Sequence, residues 1–86
     1  MSPSARIRKS VHSAEQQLLR ERLIAARDKA GLTQQVLAKR LGKPQSFVAK
    51  YEGGERRLDV IEFIIIAREI GADPVRILRA LVQKVS

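Results

Sequence analysis

The segment from Gln34 to Gly53, QQVLAKRLGKPQSFVAKYEG, constrains the fold more than any other part of this sequence. Its pattern predicts two short helices joined by a tight turn. Ala38 is small enough to let two helices approach closely, Gly42 permits the positive φ that a sharp turn requires, and Val48 supplies a buried aliphatic side chain. The chain is therefore expected to fold as short helices that cross at a steep angle.

Residues that cap or end helices divide the rest of the chain in the same way. Ser13, Thr33, Asp59 and Asp73 are candidate N-caps, and Gly31 is a candidate left-handed residue after the first helix. The predicted helices run from Ser13 as cap to Gly31, from Gln34 to Leu41, from Pro44 to about Glu52, from Val60 to Ile70, and from Pro74 to Lys84. No segment shows strand alternation. The fold class is therefore all-α, a compact bundle of five short helices.

Composition limits the chain to one small basic domain. Its 86 residues leave little room for a second domain, and residues 1–12, which lack apolar periodicity, predict a flexible basic arm before a domain over residues 13–86. The net charge of +8 favours a polyanionic partner, namely DNA, RNA or an anionic membrane. The absence of Cys excludes disulfides and thiolate metal sites and fits a cytoplasmic location.

The sequence offers little to support catalysis, a cofactor, a metal site or a membrane span. His12 is the only His, and no phosphate-binding loop of the form GxxxxGK[ST] is present. The longest apolar run, from Phe63 to Ala67, is far too short to cross a bilayer. Basic residues are spread over several helices, which argues against a membrane-surface helix. We expect a non-enzymatic chain without a cofactor, a metal or a membrane partner.

The outer face of the third helix carries the candidate functional residues. With Val48 and Tyr51 buried, Gln45, Ser46 and Lys50 point outward. These side chains can hydrogen-bond base edges and phosphates, and a helix presented in this way fits the major groove of DNA.

At these positions the chain resembles the Xre-type helix-turn-helix regulators, which are related to the lambdoid phage repressors and Cro. The resemblance extends over roughly Leu19 to Leu78. It is carried by Leu32-Thr33-Gln34, Leu37-Ala38, Leu41-Gly42, Gln45-Ser46, Val48 and Tyr51-Glu52-x-Gly54. It implies a lambda-repressor-like domain that binds double-stranded DNA.

The resemblance also implies roles for individual residues. Gln45, Ser46 and Lys50 match the positions that read bases, and Gln34 matches one that contacts a phosphate and braces the recognition helix. Lys43, Arg56 and Arg57 are expected to flank that helix and hold the DNA backbone, and Arg27 and Glu52 match a partly buried structural ion pair.

Two positions depart from the family pattern. Pro44 stands where a Ser or Thr cap is usual, and Lys43 stands where an aliphatic residue is common. These departures leave the first residue of the third helix open by one position. Whether Gln45 or Ser46 leads the base contacts is open for the same reason.

The fourth helix is too apolar for a single buried face. On a helical wheel the expected core side is Val60, Phe63, Ile64, Ala67 and Ile70. Ile61 and Ile65 lie on a different side and predict a homodimer contact, joined by Leu78, Leu81 and Val85 of the fifth helix. The alternative is that the fifth helix covers them within one chain.

The favoured function is a prokaryotic or phage transcriptional regulator, a repressor or controller, that binds operator DNA as a dimer. A symmetric dimer predicts an inverted repeat, with recognition helices roughly 34 Å apart. The alternative is a protein-interaction module, such as an antitoxin that binds a toxin partner. The basic arm, through Arg6, Arg8 and Lys9, could reach a minor groove or add only diffuse attraction.

Overall fold

A computed structural model of the chain describes residues 13–85, which form five helices and no strand. The predicted arm over residues 1–12 lies outside the described residues, as does Ser86. The helices are α1 (Ala14–Lys29), α2 (Gln34–Leu41), α3 (Gln45–Glu52), α4 (Val60–Glu69) and α5 (Pro74–Lys84). The prediction of an all-α bundle of five short helices is confirmed. Within the described range, no helix has both the length and the apolarity to cross a bilayer.

Side-chain caps begin four of the five helices at the predicted residues. Ser13 Oγ accepts from the Gln16 amide in α1, and Thr33 Oγ1 accepts from the Val36 amide in α2. Asp73 Oδ1 accepts from the Val75 amide at the start of α5. Such caps satisfy amides that have no partner within the helix, and each contributes about 1 kcal/mol.

The strongest cap is the reciprocal pair at the start of α4. Asp59 Oδ1 accepts from the Glu62 amide at 2.7 Å, and Glu62 Oε1 accepts from the Asp59 amide at 2.9 Å. This capping box fixes where α4 begins and also holds the Glu62 side chain in place.

The start of α3 differs from its expected form. Pro44 is not the first helical residue. It is the extended N-cap, with φ −68° and ψ 155°, and it makes no side-chain cap hydrogen bond. The helix begins at Gln45, and the Pro44 carbonyl accepts from the Phe47 amide at 3.0 Å. The register that the sequence left open is therefore settled, with Gln45 first and Ser46 second.

The core lies where all five helices meet. Its fully buried members include Leu23, Leu37, Val48, Tyr51 and Ile66. Helix α2 packs on α3 and α4, α1 packs on α3 and α5, and α4 packs on α5. The small Ala38 and the buried Val48 lie at the α2–α3 contact, as the spacing predicted.

The wheel assignment for α4 was wrong at Val60. That side chain is 67% exposed, because it occupies the first position of the helix, where the chain has not yet reached the core. The buried set is Phe63, Ile66, Ala67 and Ile70, and Ile64 is only partly buried. Ile66, which the sequence reasoning did not place in the core, completes the i, i+3, i+4, i+7 pattern of a buried helix face.

Candidate nucleic-acid interface

The turn between α2 and α3 sets the angle at which α3 is presented. Gly42 adopts a left-handed conformation with φ 67°, which a residue with a Cβ resists. The Gly42 amide donates to the Lys39 carbonyl and the Lys43 amide to the Ala38 carbonyl, which closes the end of α2. The connection between α2 and α3 is therefore only three residues long, Gly42, Lys43 and Pro44.

One face of α3 is turned outward. Gln45, Ser46, Ala49 and Lys50 are exposed, whereas Val48 and Tyr51 on the opposite face are buried. Within the described residues, the side chains of Gln45, Ser46 and Lys50 have no hydrogen bond or ion pair. The expected base-reading residues therefore share one accessible surface, with their donors and acceptors available to a ligand.

A polar network locks α3 to the two preceding helices. Arg27 of α1 donates from Nε to Glu52 Oε2 at 2.7 Å and from Nη2 to Glu52 Oε1 at 3.0 Å. The remaining Nη1 donates to the Leu32 carbonyl at 2.8 Å. Gln34 Nε2, at the start of α2, donates to Glu52 Oε1 at 2.8 Å. The carboxylate at the end of α3 thus receives three hydrogen bonds from two other helices.

The pair between Arg27 and Glu52 is nearly buried. Its side chains are 12% and 5% exposed, respectively. The hydrogen bond to Glu52 raises the pKa of Arg27 above its usual value, which keeps the guanidinium charged. Asp28 also approaches Arg27, at 3.4 Å, from the exposed side. The Gln34 amide is used to brace the network, and its expected phosphate contact stays a prediction.

An aromatic side chain that the sequence reasoning did not select organises the basic edge of α3. Phe47 is half-buried and packs edge-on against Tyr51, with ring centroids 5.7 Å apart. The Arg56 guanidinium lies 4.7 Å from the Phe47 ring centroid, and the Lys43 ammonium lies 5.6 Å from it. These distances suit cation–π contacts, which hold both cations beside α3. The available signal was the i, i+4 spacing of Phe47 and Tyr51.

Arg56 has a partner that the sequence reasoning also missed. Its Nη1 and Nη2 donate to Glu62 Oε1 and Oε2 at 3.1 and 2.9 Å, and Nη1 also donates to the Arg57 carbonyl. The hydrogen bond from Arg56 and the one from the Asp59 amide lower the pKa of Glu62. The Arg57 side chain is exposed. Of the cations expected to hold the DNA backbone, Arg56 is therefore already occupied by a carboxylate.

The residues of the expected dimer contact do not share one environment. Ile61 and Ile65 are 64% and 50% exposed, so α5 does not cover them within the chain. Leu78 and Val85 are also exposed, whereas Leu81 is half-buried and packs against the core. Four of these five side chains are thus accessible to a partner.

The described part of the chain holds no group of three or more His, Asp or Glu residues that could bind a metal ion. The single His, His12, lies outside that part.

A short α2, a glycine turn and an exposed, braced α3 define a helix-turn-helix domain. The helix-turn-helix family model HTH_3 matches residues 23–77. A solved structure described as an XRE-family like protein from Pseudomonas syringae pv. tomato str. DC3000 is 51% identical, covers 88% of this chain and 93% of its own, and superposes with a TM-score of 0.80. Comparison with curated proteins gives no match. The chain belongs to the XRE-type helix-turn-helix family of DNA-binding regulators.

Proposed function

We propose that this chain is a sequence-specific transcriptional regulator that binds operator DNA as a homodimer and represses by occupying promoter DNA. The observation that carries the proposal is the outward face of α3. It presents Gln45, Ser46 and Lys50 together, with no partner for them among residues 13–85. No catalytic step is part of this mechanism.

The three side chains suit different parts of a DNA site. The Gln45 amide carries both a donor and an acceptor, which matches the major-groove edge of adenine. Lys50 is a point charge that suits guanine or a phosphate, and Ser46 can contact either. Gln34 lies in α2, and Lys43 and Arg57 lie in the loops before and after α3. These side chains would contact the phosphates on each side.

The charge around α3 supports contact with a phosphate backbone. From Gln34 to Arg57 the chain carries six basic residues and two acidic ones. The basic set is Lys39, Arg40, Lys43, Lys50, Arg56 and Arg57. Each phosphate that these cations neutralise is expected to add about 0.9 to the slope of log affinity against log salt.

A selection of bound sequences from random duplexes tests the proposal first. It is expected to recover an inverted repeat whose half-sites lie about one helical turn, roughly 34 Å, apart. Recovery of a single unrepeated site would contradict the dimer. Failure to enrich any sequence would contradict base reading.

The base-reading role is tested with Gln45→Ala on the selected operator. The variant is expected to lose about 1–3 kcal/mol at one base pair and to keep its affinity for random duplex. Gln35→Ala is the matched control, because Gln35 is an exposed glutamine on the neighbouring α2. Equal losses on operator and random DNA would show that Gln45 contacts only the backbone.

The dimer contact is tested with Ile65→Asp in sedimentation experiments. A charge on this exposed side chain should produce monomers, because burying an unpaired carboxylate in an apolar contact is unfavourable. Val36→Asp is the control, since Val36 is an exposed aliphatic residue of α2 outside the proposed contact. A variant that remains dimeric would exclude the surface at Ile65.

A further inference from the structure

A second concave surface lies between α1 and α5, apart from the recognition helix. Two adjoining cavities of about 330 and 580 Å³ share Arg22, Arg76 and Ile77 in their walls. All the residues that line them belong to α1, the end of α4, α5 or the turn between α4 and α5. The proposed DNA contact, which uses α2, α3 and the loop after α3, therefore leaves this groove unused.

The groove has an apolar floor of mostly small side chains. Ala25 and Ala26 contribute from α1, Ala80 and Ile77 from α5, and Ala72 from the turn before it. Small residues on both sides let another backbone approach closely, as a helix does when it packs into a groove. The floor can accept apolar side chains that would otherwise meet water.

The rim of the groove is basic. Arg22 and Lys29 stand on the α1 side, and Arg76 and Arg79 stand on the α5 side. None of these four cations has a hydrogen bond or an ion pair within the described range. The only lining carboxylate is Asp73, and one of its oxygens accepts from the Val75 amide as the cap of α5. The rim therefore presents unneutralised positive charge on two sides of an apolar floor.

From this combination we infer that the groove binds an acidic amphipathic helix of a partner protein. Carboxylates of such a helix would pair with Arg22, Arg76 and Arg79, and its apolar face would cover the floor. A second copy of this chain is a poor occupant of this groove because it would bring an excess of positive charge to the basic rim, whereas the proposed dimer contact is apolar. Nucleic acid would neutralise the rim, but its phosphates cannot fill an apolar floor.

Fluorescence anisotropy with synthetic peptides tests the inference. The probe is a peptide of about 14 residues, or about four helical turns, with Glu on one face and Leu on the other. A second peptide has the same composition in an order that breaks the amphipathic pattern. The chain is expected to bind the amphipathic peptide at least about tenfold more tightly, because only that peptide meets rim and floor together. Equal binding of both peptides would overturn the inference.

Charge reversal locates the binding site. Arg76→Glu with Arg79→Glu is expected to weaken peptide binding by about tenfold or more. Arg68→Glu with Lys84→Glu is the control, because it changes the net charge equally at exposed residues that do not line the groove. The control should stay within about twofold of the unmodified chain. If both variants lost peptide affinity equally, net charge alone would attract the peptide, and the assignment of the binding site to the groove would be wrong.

Two further measurements separate the inference from its competitors. Arg76→Gln with Arg79→Gln removes the two positive charges without adding repulsion, and it should also weaken peptide binding. This variant replaces the charge-reversed one if the latter fails to fold. Operator binding by the same variants should stay close to that of the unmodified chain. If they lose duplex affinity as strongly as peptide affinity, the groove belongs to the DNA interface and the peptide site is wrong.

Discussion

Two pairs of Arg and Glu in this molecule are both bidentate but differ in their surroundings, Arg27 pairing through Nε and Nη2 and Arg56 through Nη1 and Nη2. Arg27 and Glu52 meet at 2.7 and 3.0 Å with side chains that are 12% and 5% exposed. Arg56 and Glu62 meet at 2.9 and 3.1 Å with side chains that are 40% and 25% exposed. Both contacts join a guanidinium to a carboxylate through two hydrogen bonds, so we expect burial to be the main source of any difference in behaviour.

Burial gives the two pairs different roles. Neither partner of the inner pair can easily recover hydration, so losing one partner leaves a nearly buried charge. The outer pair stands beside water and salt, which screen it and can replace it. The inner pair therefore holds α1, α2 and α3 in register, whereas the outer one can exchange its partners. In the proposed complex with DNA, a phosphate would be such a partner for Arg56.

The largest expected difference between the pairs appears when a carboxylate is neutralised. Glu52→Gln should lower the free energy of unfolding by about 3–5 kcal/mol, toward the lower end because Arg27 keeps some contact with water. Glu62→Gln retains an oxygen for the Asp59 cap and should lower the free energy of unfolding by less than about 1 kcal/mol, because the pair is exposed. Urea unfolding measures both variants, and equal losses would break the comparison.

The next test separates charge from geometry. Arg27→Lys keeps the positive charge but cannot reproduce the three donors that reach Glu52 and Leu32, so we expect a loss of about 1.5–3 kcal/mol. Arg56→Lys should leave the unfolding midpoint unchanged. If Arg27→Lys also left the unfolding midpoint unchanged, the charge of Arg27 alone would account for the stabilisation by the inner pair.

A third variant tests whether the buried hydroxyl of Tyr51, beside the inner pair, contributes to stability. The Tyr51 hydroxyl is buried and has no hydrogen-bond partner within the described residues, and burial raises the pKa of its phenol. Tyr51→Phe should leave the free energy of unfolding unchanged or raise it by up to about 1 kcal/mol, since it removes a buried polar group that is not paired. Thermal or urea unfolding measures the change. A loss of stability would reveal a partner for this hydroxyl.

The smallest effect concerns the pH dependence of the outer pair. The pKa of Glu62 is lowered in the folded chain from the ordinary value of 4.5, so its contribution to stability is fully present above that pH. The contribution is lost as the pH falls through the lowered folded-state pKa. The difference between the unmodified chain and Glu62→Gln should shrink over this interval, in urea titrations at low salt. A difference that grows with falling pH would contradict the sign.

The fold was largely predictable because its boundaries depend on local interactions. Thr33, Gly42 and Asp59 act on residues no more than four positions away, and the structure places each as expected. Val60 was wrongly assigned to the core because a helical wheel shows the direction of each side chain but not how far each helical turn lies from the core. The position of a helix can thus be predicted from nearby residues, whereas the burial of a side chain at the end of a helix depends on the tertiary structure.

The candidate site was predictable only in part, for a similar reason. The outward face of α3 follows from the spacing of Gln45, Ser46 and Lys50 around buried neighbours. The contact between Arg27 and Glu52 joins residues 25 positions apart, and it was expected only through the family resemblance. The cluster of Phe47, Arg56 and Glu62 had no such guide, because it forms only when the loop after α3 folds back over the ring.

Pro44 leaves the start of α3 without a side-chain cap. The other four helices of the described chain close their first turn with a side chain of the N-cap residue, whereas Pro44 offers neither a side-chain acceptor nor an amide of its own. The Phe47 amide donates to the Pro44 carbonyl, whereas the amides of Gln45 and Ser46, at the positive end of the helix dipole, have no acceptor within the described residues. The free chain therefore lacks, at the start of α3, the stabilisation of about 1 kcal/mol that a side-chain cap gives each of the other helices.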